Sequence, residues 1–565
     1  MFRERSPQGS LLQSEFLVPP AKAKRLERSW AEVFQERALP LIDEQRFAHL
    51  YCEDNGRPNR AVETVLGVLI LKELHNLTDQ EALEQLEFNL LWHHALRLTA
   101  DEAHLPQKTL HNFRGRLMAH DGGRLAFEET TDGILAALGT RTGKQRLDST
   151  HILSNMATLT RLGLFCETLR VFLRALRQKR PELAARIPEG LVRRYLKEDG
   201  EATAYEDARS GDGRRRLAVC ARDLYRLVER FRGTGARKLA EYKLLRRLLH
   251  EQCHVGKHGD GRPEDDDDDA GEGKVPVALK DPAEVRADSL QSPHDPDATY
   301  SGHKGKGYEV QVAETCHGEN ATQIITYVEV TPSSGSDAAV PVPLVEALAQ
   351  RQIQPEEVYT DTTYGSGRNA FELACRGTEL VSPLAGSAPR GGAAPEPEAG
   401  NRPFTAADFH IDGTEVQVTR CPAGHQVIEE WTYTATPERV ELYFAQAVCE
   451  PCPLRSRCPV KLHRRAGVYV LKADLVKVNI ERRRRAEATP AWRERYAVRA
   501  GIEGTNSELK RRHGLGRLRV RGGLRVRLAV YLKALACNLK RMIAALQAQG
   551  GLPVKGTAVT GAVAA

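Results

Sequence analysis

No run of eighteen apolar residues occurs in this 565-residue chain, so no segment reads as a membrane-spanning helix. The opening stretch, MFRERSPQGSLLQSEF, lacks the charged, then apolar, then small-residue order of a secretory signal, and the expected location is the cytoplasm. Eleven cysteines are an odd number, which with no export signal argues for thiols or metal ligands rather than a disulfide framework. No internal repeat is evident. GTRTGKQ, Gly139 to Gln145, has one residue too few between its glycines and no Ser or Thr after Lys144, and so fails as a phosphate-binding loop. The five aspartates at 265–269 sit in a Gly- and Pro-bearing stretch; a self-repelling acidic tract offers no fixed coordination geometry, and a linker is expected there.

What is present is enough apolar residue, 41%, for two to four domains of a soluble globular protein. The net charge of +7 is mild, but its distribution is not. From Glu481 to Lys540 there are seventeen Lys plus Arg against five Glu, an excess that suits a polyanion such as nucleic acid; a solvated helix face is the alternative.

Along the chain, three- and four-residue apolar spacing predicts helices in VETVLGVLILKELHNL (62–77) and EALEQLEFNLLWHHALRL (81–98). LPQKTLHNFRGRLMAH (105–120) reads as a turn feeding a helix with Lys108, His111, Arg114 and Arg116 outward, either a helix-turn-helix reader of DNA or part of a plain bundle. RLDSTHILSN (146–155) reads as a short strand that ends or bends. Helical periodicity returns over 160–255. GYEVQVAET (307–315) and QIITYVEVT (323–331) alternate as strands, a helix is expected from Asp337 to Gln352, and EEVYTDTTYGSGRN (356–369) is a short strand ending at Asp361. A carboxylate at the exit of a strand is where α/β sheets put ligands.

The stretch YAVRAGIEGTNSELK places Tyr496, Arg499, Glu503 and Lys510 with two, three and six residues between them. Thr489 and Pro490 make a good helix start and Gly514 a stop; on one continuous helix the four side chains fall in an arc of about 60°. Glu508 points elsewhere. Gly501 and Gly504 weaken such a helix by roughly 1 kcal/mol each, a cost more easily understood if another backbone or a DNA strand comes close. One carboxylate beside phosphate-friendly donors becomes chemically suggestive once Asp148 and Asp361 join it, because three carboxylates can hold two hard cations for in-line phosphoryl transfer.

Asp148, Asp361 and Glu503 resemble the catalytic triad of DDE transposases, and the Tyr-Arg-Glu-Lys spacing is similar to the signature of one large insertion-sequence group. RLDSTHILSNM, DPDATYSGHKGKGYEVQVAET, YTDTTYGSG, RAGIEGTNSELKRRHGLGRLRVRG and NGRPNRAVETVLGVLILKEL look like the insertion-sequence type numbered eleven eighty-two. The resemblance spans about residues 35–541. It implies an α/β fold with a ribonuclease-H-like catalytic core built on a mixed sheet, in which Asp148 lies on the first core strand, Asp361 on the fourth and Glu503 on a late helix. The division it suggests is an N-terminal helical, helix-turn-helix DNA-binding region (1–140), the first part of the core (141–160), a helical insertion (161–257), an acidic linker (258–290), the second part of the core (291–377), a β-rich insertion with four cysteines (378–480), the catalytic C-terminal helices (481–545) and a disordered tail (546–565). Implied cofactors are two Mg or Mn ions on Asp148, Asp361 and Glu503. DNA contacts are expected from Tyr496, Arg499, Lys510, Arg511 and Arg512, and from Lys108 and Arg114 in the N-terminal helices, with a dimer in the DNA complex and no membrane partner.

Cys421, Cys449, Cys452 and Cys458, spaced C-x27-C-x2-C-x5-C, suit a structural zinc, with His425 as a substitute ligand and free thiols as the alternative. The other seven cysteines read as packing residues. Two functions remain open: a transposase that binds terminal inverted repeats and catalyses metal-dependent cleavage and strand transfer, or a catalytically silent DNA-binding regulator derived from one. An ordinary metal nuclease would not need the large N-terminal helical region.

Overall fold

A thirteen-residue apolar segment yields α1 (Val62–Leu74), which is buried along most of its length because packing surrounds it on all sides. The structure, a computed structural model, describes residues 2–5, 19–52, 58–207, 212–256, 276–384, 402–411, 418–433 and 435–549. The acidic run at 265–269 and most of the 546–565 tail lie outside the described residues. The helix expected over 81–98 is two pieces, Asp79–Phe88 and Leu90–Ala95. Asn89 leaves helical geometry between them and its side chain accepts the Leu91 N–H, capping the second piece. α2 (Gln107–Ala119) buries Leu110, Phe113 and Leu117, and α3 (Gly122–Leu138) ends at Gly139 in a left-handed conformation, φ +58°.

Asp148 lies in β1 (Lys144–Ile152), nine residues long rather than a short bent strand, since it pairs along most of its length with one neighbour. α4 (Arg161–Lys179), α5 (Gly213–Phe231) and α6 (Ala240–Gln252) then build a hydrophobic cluster of their own around Phe165, Phe172, Leu224 and Tyr242. The chain returns through β2 (Thr299–Ser301), β3 (Gly305–Thr315), β4 (Ile325–Pro332), α7 (Pro341–Gln350), β5 (Glu357–Tyr359), α8 (Gly367–Ala374) and β6 (Glu379–Val381). The sheet runs β4-β3-β1-β5-β6, with β2 on the start of β3. It is antiparallel from β4 to β1 and parallel from β1 to β6, a mixed sheet consistent with a ribonuclease-H-like core. β3 is covered on both faces. Leu147 and Ala313 pack with α7 and α8, while Val310 and Val312 join the cluster that holds α12 and the N-terminal helices.

β7 (Glu429–Tyr433), β8 (Thr436–Ala445), β9 (Lys461–His463) and β10 (Val468–Asp474) form a second, antiparallel sheet in the order β7-β8-β10-β9. Then come α9 (Leu475–Glu487), α10 (Pro490–Tyr496), a 3-10 turn (Ala497–Gly501), α11 (Ile502–Arg511) and α12 (Gly523–Gln549). α12 passes beneath α1 and α3, so Leu66, Leu69, Phe113 and Phe127 share one core with Leu535 and Met542. Two polar ties fasten this junction. Glu73, buried between Lys72 and Lys533, compensates both cations. Asn538 accepts the Ile325 N–H at 2.8 Å and donates to the Ile325 carbonyl at 2.7 Å, mimicking a strand edge beside β4. Among the described residues no helix is long and apolar enough to cross a membrane.

Candidate active site

Three carboxylates far apart in sequence meet around one guanidinium. Asp148 sits in mid-β1, opposite Val312 of β3. Asp361 follows β5 by two residues, and its Oδ1 accepts the Thr363 N–H at 2.8 Å, an aspartate turn that fixes the carboxylate at the strand exit. Glu503 occupies the first turn of α11. From the preceding turn Arg499 reaches all three: Nη2 lies 3.1 Å from Asp148 Oδ1 and 4.0 Å from Asp361 Oδ2, and Nη1 lies 3.3 Å from Glu503 Oε1. Side-chain exposure rises from 16% at Asp148 through 37% at Asp361 to 70% at Glu503, so the open side is Glu503's.

The single helix expected across Tyr496 to Lys510 is not formed. Tyr496 ends α10, Arg499 lies in the 3-10 turn, and Glu503 and Lys510 belong to α11. Arg146 explains the break. Its Nη1 donates to the Val498 carbonyl at 2.8 Å, and the Ile502 N–H turns instead to the carbonyls of Arg499 and Ala500, a tighter winding. Gly501 permits this approach, since a Cβ there would stand 1.9 Å from Arg146 Nη1; at Gly504 a Cβ would meet nothing within 4 Å. The close neighbour at Gly501 is thus the protein's own arginine. Tyr496 donates to the Thr360 carbonyl at 3.0 Å and stacks on Trp492, which ties α10 to the strand exit beside Asp361.

Burial pushes the Asp148 carboxyl above its ordinary range; the Arg499 guanidinium opposes this, and the charges of Asp361 and Glu503 add to it. Asp148 therefore feels the charges of the other two acids, and a cation beside it is favoured. Asn506, one turn beyond Glu503, donates from Nδ2 to Asp148 Oδ2 at 3.3 Å, while its own Oδ1 is buried with no hydrogen-bond partner. A spare carbonyl oxygen next to carboxylates is chemistry that fits a hard divalent cation. Sequence reasoning missed Asn506; its place on the helix face of Glu503 was the available signal.

Glu508 belongs elsewhere. It accepts from Lys540 at 2.6 Å and from Arg541 at 2.9 and 3.1 Å. Burial opposes its ionisation, but these hydrogen bonds outweigh burial and hold the carboxyl at about 2. Glu508, His513 and Cys537 are the described residues that bring three ligand-type atoms within 4.8 Å of one another. With the carboxylate engaged by two cations and burial pushing the Cys537 thiol up to about 12, this group reads as packing.

Cys421, Cys449, Cys452 and Cys458 line one small cavity with His425, walled by Phe409 and Phe444. No three of their sulfurs come within 4.8 Å of one another, wider than the about 3.8 Å of a tetrahedral thiolate site. Burial, then the other three cysteines, pushes the Cys449 thiol up to about 11, so it stays protonated near neutral pH unless a cation offsets the charge of its thiolate. The donor set fits zinc, and none of the four is in a disulfide.

The basic run is partly internal. Arg483 donates to the carbonyls of Gly365 and Ser382, Arg495 pairs with Glu357 and Glu379, Arg519 donates to Asn76 and Leu77 carbonyls, and Lys533 pairs with Glu73. Arg114, expected outward, forms a two-pronged pair with Asp79. Lys108, Arg511 and Arg512 are exposed, and Lys510 is half-buried with its stem against Gly516.

Residues 420–543 match the family described as Transposase DDE domain, and residues 26–116 match Transposase domain (DUF772). The first span includes Arg499 and Glu503 and all four cysteines, the second α1 and most of α2; Asp148 and Asp361 fall outside both. No curated protein and no solved structure matches the chain. The two matches support an insertion-sequence transposase family, and the first a DDE transposase enzyme.

Proposed function

We propose that the chain is a DDE transposase of the insertion-sequence type numbered eleven eighty-two, which binds the inverted repeats at its element's ends, cuts the DNA and joins the freed 3′ hydroxyl to a target. The observation that carries this reading is the convergence of Asp148, Asp361 and Glu503 from a strand, a strand exit and a helix that are more than a hundred residues apart. Asp148, Asp361 and Glu503 would hold two Mg or Mn ions, with Asn506 Oδ1 beside them, and such ions when bound stabilise the attacking and leaving oxygens of an in-line displacement.

The chain's own residues do the positioning. β1 fixes Asp148, the aspartate turn fixes Asp361, and the bond from Tyr496 to the Thr360 carbonyl keeps α10 against that turn. Lys510, Arg511 and Arg512 continue from Glu503 along α11 and offer cations to the DNA backbone, as Lys108 does from α2. Two copies would act together on the two ends, in the cytoplasm. Cys421, Cys449, Cys452 and Cys458 would close on a structural zinc remote from the chemistry.

The test is a donor plasmid carrying the inverted repeats that flank the gene, incubated with protein and Mg2+. Excision is expected for the wild type, with Asp148→Ala, Asp361→Ala and Glu503→Gln each lower by at least about a thousandfold while keeping the wild-type circular dichroism. Repeat binding without excision by the wild type would move the assignment to a DNA-binding regulator.

A further inference from the structure

Arg499 is held differently from the arginines that fasten this fold. Arg146 meets the buried Glu314 at 2.6 and 2.8 Å and also donates to a carbonyl, and Arg541 meets Glu314 and Glu508 at 2.9 Å. Arg499 instead spreads single contacts of 3.1, 3.3 and 4.0 Å over three different carboxylates, and its Nε is buried with no hydrogen-bond partner. Charge-assisted pairs that lock a side chain are shorter and two-pronged. The oxygens Arg499 touches are on the three acids that would hold a metal.

We propose that Arg499 is the resident counter-cation of this cluster, a positioning residue that holds Asp148, Asp361 and Glu503 together in the metal-free chain and is displaced when a divalent cation takes the same oxygens. This rests on the metal-dependent reading above. The argument is one of charge. Three carboxylates drawn together without a cation repel one another, and a guanidinium supplies one delocalised positive charge where a divalent ion supplies two. A cation that takes the oxygens Arg499 touches, Asp148 Oδ1, Asp361 Oδ2 and Glu503 Oε1, breaks those contacts, so arginine and cation compete for them. No covalent bond is made or broken. Its backbone lies in the 3-10 turn between α10 and α11, so the side chain can leave without unwinding either helix. Once released it remains beside the carboxylates, with its planar donors free for a phosphodiester oxygen.

Competition has a signature that a purely structural arginine lacks: removing it tightens cation binding. Mn2+ binding to the full chain without DNA, followed by titration calorimetry and by loss of the free-ion paramagnetic resonance signal, is compared for wild type, Arg499→Lys and Arg499→Gln. Arg499→Gln is expected to bind Mn2+ about tenfold more tightly, and Arg499→Lys within about threefold of wild type. A second measurement uses the wild type alone, so it does not depend on a variant folding. Modification of Arg499 by phenylglyoxal, read by mass spectrometry of its peptide, should rise severalfold when saturating Mn2+ is present. Unchanged or weaker Mn2+ affinity in folded Arg499→Gln, or Arg499 modification that does not rise with Mn2+, would overturn the proposal. Mn2+ binding by neither wild type nor variants would overturn the metal-dependent reading itself, and the proposal with it.

Discussion

Glu503 and Glu508 lie five residues apart on α11 and face opposite needs. The first stands exposed at the helix start beside Asp148 and Asp361; the second is half-buried and holds Lys540 and Arg541 of α12. Replacing Glu508 by Gln leaves Asp148, Asp361 and Glu503 in place but takes the carboxylate from Lys540 and leaves Arg541 with the Glu314 carboxylate alone. Glu508→Gln is therefore expected to lower stability by about 1–3 kcal/mol in denaturant unfolding while the protein that remains folded cleaves at close to the wild-type rate. Loss of cleavage without loss of stability would show that Glu508, not Glu503, serves the chemistry.

At the scale of elements, the turn over Ala497–Gly501 redirects the chain so that Arg499 points into the cluster that Glu503 borders. The turn depends on Arg146 passing over Gly501. Gly501→Ala is expected to push that guanidinium off Glu314, which has no exposure of its own, and to cost about 3 kcal/mol or more. Gly504→Ala, facing open space inside α11, should stabilise by roughly 0.5–1 kcal/mol. Thermal unfolding of the two variants decides between this account and one in which both glycines serve DNA alone. The four-cysteine segment makes a separate case. Protein purified without added zinc should carry close to one zinc per chain, and chelation should raise hydrogen exchange in residues 418–474 before it touches β1 or β5. Fewer than about 0.2 zinc per chain would leave the free-thiol reading.

The whole molecule is joined by the contact of α12 with the N-terminal helices, and that junction carries a pH dependence. His513 is buried with Nδ1 3.2 Å from the Glu73 carbonyl, and burial, only partly offset by that contact, holds its pKa down at about 4 against an ordinary 6.5. Between these values the unfolded chain binds a proton that the folded chain refuses, so stability rises with pH across this window and falls on acidification. Glu508, at about 2 against 4.5, extends the same sign to lower pH: its contribution is full above 4.5 and lost as pH falls through 2. Unfolding free energy is expected to drop by up to about 3 kcal/mol from pH 7 to pH 4 through His513. His513→Gln should remove most of that slope. An unchanged slope in the variant would mean that other groups set it.

Some of this was legible in the chain as written. Period-two and three-to-four spacing located β3, β4, α1, α7 and the strand leading to Asp361, because a core-facing side of an element must be apolar wherever the element packs. The spacing of Tyr496, Arg499, Glu503 and Lys510 was read on an unbroken helix, which the structure replaces by two helices and a 3-10 turn. Local periodicity assumes that backbone groups bond only within their own element, and it has no access to Arg146, more than 350 residues earlier, taking the Val498 carbonyl. The same blindness applied to charge. The run from 481 to 540 suited a polyanion by composition, yet Arg483 and Lys533 are engaged by carbonyls and a carboxylate within the fold, and Arg495 and Arg519 bond to carboxylates and carbonyls at its surface. The sequence by itself determined which residue types were available and which segments could be strands or helices, since these depend on neighbours along the chain. Only the tertiary structure decided which charges remain free, that Arg499 sits among the three acids, and that Asn506 has an oxygen to spare, because each depends on partners the chain brings together from far apart.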